Sequence, residues 1–284
     1  MSEKGHVQAV SYGARAMSEE ITSIAVRRVD VVRDGTSTVV DHVAVEEPLE
    51  VRLNGAPFAV IMRTPGTDQD LALGFAFAEG LVARREDVVR IDCDPSGDIV
   101  NIVFARARGD AIAEALAGRR QVTLNSSCGL CGRRTLASLP RRLPDLPVEW
   151  STDRDTIAGL AAMLRDAQPA FAQTGGLHAA ACFDSGGRVE ATAEDIGRHN
   201  AVDKVVGRML SGNRLPLRHS LLFVSGRASF EIVQKAWMAG IPLVAAVSAP
   251  SSLAIELAED AGITLLGFVR DSRFNIYTHA GRVP

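Results

Sequence analysis

Apolar and polar positions follow two different rhythms along the chain. Up to residue 104 the period is mostly two. Val43 to Leu53 and Phe58 to Arg63 flank an Asn54-Gly55 pair, and alternating runs on either side of Asn-Gly predict a β-hairpin. Val88 to Cys93 and Ile99 to Phe104 flank Asp94-Pro-Ser-Gly97 and predict a second. Between them, Asp68 to Leu81 has helical spacing and ends near Gly80. Ala111 to Leu116 predicts a further short helix. This first part is an α+β unit.

After residue 150 the period changes to an alternation of helix and strand. Thr152 to Gln168 is a helix with Ile157, Leu160, Ala161 and Leu164 on one face. Leu177 to Phe183 and Arg188 to Thr192 form a hairpin across Ser185-Gly186-Gly187, and His199 to Leu210 is a helix. Strand Ser220–Ser225, helix Ser229–Met238, strand Ile241–Ser248, helix Ser251–Asp260 and strand Ile263–Phe268 follow. Such alternation predicts a parallel sheet with right-handed crossovers. The fold class is α/β: a cytidine-deaminase-like α/β C-terminal domain with a smaller N-terminal α+β domain. The boundaries are a polar tail over 1–20, the N-terminal domain over 21–120, a loop and linker over 121–150, and the α/β domain over 151–284. Zinc deaminases place His-x-Glu and Pro-Cys-x-x-Cys at two helix starts. Here those starts read His199-Asn200-Ala201 and Ser225-Gly226-Arg227-Ala228, with no cysteine at the second. A deaminase zinc site is therefore not expected, and neither is any other metal site.

Composition narrows the classes. The 284 residues are 46% hydrophobic and 23% charged, with a net charge of −3, which does not suggest a nucleic-acid binder. No run approaches the roughly 20 apolar residues of a membrane span. The N-terminus lacks a basic-then-apolar leader pattern, so a cytoplasmic location is expected.

Four cysteines remain: Cys93, Cys128, Cys131 and Cys182. Cys93 and Cys182 sit in strand-like runs and read as inert structural thiols. Cys128-Gly-Leu-Cys131 lies in a segment rich in Ser and Gly. A structural zinc needs four ligands, so Cys93, Cys182 and His178 would have to complete it without the usual spacing. A redox pair usually opens a helix after a strand. Sulfur transfer needs an exposed thiolate, and a free cysteine titrates at roughly 8.5. Arg133 and Arg134 follow directly and favour that thiolate, while Gly129 and Gly132 leave room for a large partner. Spacing alone leaves all three chemistries open.

Two other segments concentrate polar residues. Glu194-Asp-Ile-Gly-Arg-His-Asn-Ala-Val-Asp-Lys204 spans a hairpin end and a helix start. There Arg198 and His199 can meet an anion; the plainer reading is a solvated helix start with a Glu194–Arg198 pair. Ser225-Gly226-Arg227, Ser248-Ala-Pro-Ser-Ser252 and Phe268-Val269-Arg270-Asp271-Ser272-Arg273 each follow a strand. The carboxyl ends of parallel strands are where open α/β sheets bind ligands. Helix starts and arginines there predict a pocket for a phosphorylated ligand. The plainer reading makes the serines caps and the arginines surface charge.

Together with Asp70-Leu-Ala-Leu-Gly-Phe-Ala-Phe-Ala-Glu-Gly80, Ser127-Cys-Gly-Leu-Cys-Gly132, Thr174-Gly-Gly-Leu-His-Ala-Ala180 and Ser248-Ala-Pro-Ser-Ser-Leu253, these segments resemble the formate dehydrogenase accessory sulfurtransferase family, FdhD. The resemblance implies a sulfur carrier that accepts persulfide sulfur from a cysteine desulfurase. It would pass that sulfur to the bis-molybdopterin guanine dinucleotide cofactor of a molybdenum or tungsten formate dehydrogenase. It implies that Cys128 carries the persulfide with Cys131 beside it. It also implies that Phe268 to Arg273 bind the cofactor, a placement that agrees with the strand-end argument, which adds Gly226 and Arg227. A homodimer is implied as well. The alternative is a cofactor-binding chaperone with no catalytic cysteine.

Overall fold

The computed structural model describes residues 25–33, 37–118, 145–147 and 149–284. Strands β1 (Val26–Arg33) and β2 (Ser37–Ala44) form an antiparallel ribbon outside both larger sheets. The sequence did not predict it. Residues of both its faces are partly exposed, so no clean alternation marks it. Val43 and Ala44 belong to β2, and the next strand, β3, begins at Glu47.

Strands β3 (Glu47–Leu53), β4 (Ala56–Arg63), β5 (Val88–Cys93) and β6 (Ile99–Phe104) form a four-stranded sheet in the order β4-β3-β6-β5. Both predicted hairpins are present. Asn54 and Gly55 both have positive φ, 50° and 85°, as the tight turn that twists with its strands requires. Helix α1 (Asp68–Ala78) buries every residue from Leu71 to Phe77, so apolar partners surround it on all sides. Helix α2 (Gly109–Gly118) follows β6.

The second part begins with α3 (Arg154–Asp166), capped by Asp153, which accepts from the Thr156 N–H at 2.6 Å. A short α4 (Pro169–Thr174) leads to β7 (His178–Asp184) and β8 (Val189–Asp195). Helix α5 (Arg198–Ser211) and the run β9 (Ser220–Val224), α6 (Phe230–Ala239), β10 (Leu243–Ala246), α7 (Ser252–Asp260), β11 (Thr264–Arg270) and β12 (Arg273–Thr278) complete the chain. The six-stranded sheet has the order β12-β11-β10-β9-β7-β8. The predicted parallel trio β9, β10, β11 is present. The expected order gains β12, which returns antiparallel to β11. One face of this sheet packs on α3 through Ile157, Leu160 and Leu164. On the other face a continuous core runs through α5 and α1 to the four-stranded sheet. Among the described residues, no helix is long and apolar enough to cross a membrane.

Helices α1 and α5 touch backbone to backbone at two glycines. A Cβ on Gly74 would lie 1.9 Å from the Asp203 carbonyl oxygen, and one on Gly207 would lie 1.9 Å from that of Asp70. Position 74 faces 203 and 70 faces 207, so the helices run antiparallel. No side chain fits at either glycine without moving a helix.

Beside this crossing, residues 194–204 form a buried polar clamp. The Asp195 carboxylate is fully buried. It accepts from the Gly197 N–H (2.8 Å), Asn200 Nδ2 (2.9 Å) and the Thr64 N–H (3.2 Å), and pairs with Lys204 Nζ at 2.8 Å. Lys204 also donates to the carbonyls of Thr64 (2.8 Å) and Glu194 (3.2 Å). Asn200 donates to Met62 O at 2.8 Å. The end of β4 is thereby fixed to the end of β8 and the start of α5. A solvated helix start with a Glu194–Arg198 pair is not what forms. The Glu194 carboxylate instead accepts the Ala170 and Phe171 N–H groups of α4, at 3.0 and 2.7 Å. In the first and second turns of α5, His199 meets Ser229 and Glu231, each at 3.1 Å, and Asp203 pairs with Lys235.

Gly74→Ala and Gly207→Ala should each cost about 3 kcal/mol or more in urea unfolding, the upper range for overpacking. Gly159→Ala, in open space on α3, should instead be neutral or stabilise by up to about 1 kcal/mol. Equal costs at all three positions would contradict the backbone contact. Burial also lifts Asp203 from 3.8 to about 6, against the pull of Lys235. A carboxyl raised in the folded state contributes most to stability below its unfolded value, and that contribution is lost as pH rises through its folded value. Between 3.8 and about 6, the wild type should therefore lose stability with rising pH relative to Asp203→Asn. Parallel unfolding curves for the two proteins across that window would refute it.

Candidate functional site

The topology gathers several chain ends at one edge of the six-stranded sheet. Strands β9, β10 and β11 finish there. Because β7 runs antiparallel to β9, β7 begins there and β8 ends there. His178, first in β7, stands opposite Asp195, last in β8. Backbone bonds extend the pairing past the strands: the Ser248 N–H reaches Gly226 O at 3.3 Å, and the Phe268 N–H reaches Ser248 O at 3.2 Å. Ser225 Oγ accepts the Ala179 N–H at 2.8 Å, which turns the chain after β9 over β7.

A cavity of about 550 Å³ opens at this edge, within the usual range for a ligand site. Helix α3 supplies Leu164 and Arg165, and the α4 region supplies Phe171, Gly175 and Gly176. The strand ends supply His178, Ser225, Val247, Val269, Arg270 and Asp271. Gly175, at φ 64°, ends α4 in the left-handed conformation that glycine tolerates best.

The predicted binding residues divide around this cavity. Val269, Arg270 and Asp271 line it. The segment is a hairpin tip: β11 runs on to Arg270, past the expected strand end at Phe268, and β12 starts at Arg273. Phe268 and Asp271 have positive φ, 56° and 52°, and the register shifts between Gly267 and Arg270. That bulge turns Phe268 outward and Val269, which is 0% exposed, into the core. Val269 therefore contributes a wall. Ser272 and Arg273 are exposed on the far side of the turn and are not among the cavity's lining. Gly226 is buried beside the cavity and Arg227 is exposed. A Cβ on Gly226 would lie 3.4 Å from His178 Nδ1 and 3.7 Å from Arg198 Cδ, so both side chains rest on its backbone. Burial holds His178 below its usual imidazole value, and Arg198 and Arg227 reinforce the shift against Asp195.

Cys128 and Cys131 lie outside the described residues. Cys182 is fully buried, and burial, helped by Glu190, pushes its thiol up to about 12. It is an inert core thiol. Cys93 is exposed, in contrast to the buried thiol expected. Its sulfur accepts from Gln69 Nε2 at 3.3 Å, and it borders a second cavity of about 400 Å³ shared with Asp68 and Asp70. Among the described residues, no group of three or more His, Cys, Asp or Glu side chains is arranged to hold a metal ion.

Sequence reasoning missed α4, which carries one wall of the cavity. Its signal was present: Pro169 at the first helical position and Gly175 just past the end. It also placed His178 only weakly, because a single histidine carries no spacing to read.

The sequence model of the FdhD/NarQ family matches residues 44–284. Two relatives named "Sulfur carrier protein FdhD" are 47% identical. That of Anaeromyxobacter sp. (strain K) aligns over 271 residues, 91% of this chain and 94% of its own. That of Streptomyces coelicolor aligns over 269 residues, 90% of this chain and 94% of its own. The relative of the same name from Mycobacterium tuberculosis is 46% identical over 260 residues, covering 88% and 94%. In three dimensions the chain is similar to the crystal structure of a putative formate dehydrogenase accessory protein from Desulfotalea psychrophila. The TM-score is 0.72 at 25% identity, covering 91% of this chain and 98% of that one. The match covers both larger sheets and the cavity edge of the six-stranded one: this chain belongs to the FdhD/NarQ family.

Proposed function

We propose that this protein is a cytoplasmic sulfur carrier that serves a formate dehydrogenase. The observation that carries the reading is the 47% identity, over nine-tenths of the chain, to relatives named as sulfur carriers. In the proposed reaction the Cys128 thiolate attacks the outer sulfur of a cysteine desulfurase persulfide. A new S–S bond forms on Cys128 while the donor's S–S bond breaks, and the donor cysteine leaves as thiolate. No net oxidant is needed, and positive charge near a thiol favours the thiolate that the attack requires. Arg133 and Arg134 would supply that charge, and Cys131, three residues on in the sequence, would shield or resolve the persulfide.

The acceptor in this reading is the bis-molybdopterin guanine dinucleotide cofactor of a molybdenum or tungsten enzyme, bound as substrate before insertion. Gly226, Arg227 and the Phe268–Arg273 hairpin tip are its proposed contacts. The cavity at the sheet edge supports this: it has the size of a ligand site and carries Arg270 on its rim. The proposal extends to a homodimer.

A second reading is a cofactor-binding chaperone without cysteine chemistry. Its support is the cavity itself, whose size and Arg270 suit a bound ligand. Complementation of a strain lacking this protein separates the two. Cys128→Ala should abolish restoration of formate dehydrogenase activity, while Arg270→Ala/Arg273→Ala should impair it and leave desulfurase-driven sulfur loading intact. Full restoration by Cys128→Ala would reject the sulfur carrier and favour the chaperone.

A further inference from the structure

We draw no further inference here: the strongest candidate, the cavity of about 400 Å³ between the start of α1 and the β5–β6 hairpin, carries nothing, because it rests on the exposed thiol of Cys93 beside a helix N-terminus and no second observation among the described residues points to a ligand.

Discussion

The Asp195–Lys204 ion pair is out of water, and the desolvation of both charges is offset only because their polar atoms are matched. Asp195 receives four donors, and Lys204 places its ammonium among one carboxylate oxygen and two carbonyls. Removing one partner from such a pair leaves an uncompensated buried charge, which costs about 3–5 kcal/mol. The pair therefore fixes where β4, β8 and α5 meet. The α1–α5 crossing at Gly74 and Gly207 sits beside it and allows no substitute spacing.

This arrangement gives the 194–204 segment a different meaning from the one its polarity suggests. A run of charged and polar residues at a helix start usually faces water. Here His199, Asn200, Asp203 and Lys204 are all buried. They join the two sheets and tie α5 to α6.

Much of the fold was legible because periodicity reports burial. Strands β3 and β6 and helix α3 have one face in a core, and the pattern of apolar positions records that face, whereas β9, β10 and most of α1 are buried on all sides and read as continuous apolar runs. The ribbon β1–β2 was illegible because neither of its faces is buried. β12 was hidden because its burial is uneven along an edge strand. The cavity was half legible. Arg270 and Asp271 could be placed by the strand-end argument, whereas the outward turn of Phe268 depends on a bulge that no residue type announces. Arg198, His178 and Gly226 come from distant parts of the sequence, and only the antiparallel placement of β7 beside β9 brings them into contact. Family resemblance, not spacing, singled out Cys128 among the possible chemistries of a Cys-x-x-Cys pair.

The central claim is that sulfur travels on Cys128. Its most direct test is intact-protein and peptide mass spectrometry after incubation with a cysteine desulfurase and cysteine, without reductant. The account predicts a mass gain of one or more sulfur atoms on the peptide containing Cys128, lost on treatment with a thiol reductant and absent in Cys128→Ala. Sulfur found instead on Cys93, or no gain on any cysteine under conditions in which the desulfurase turns over, would contradict it.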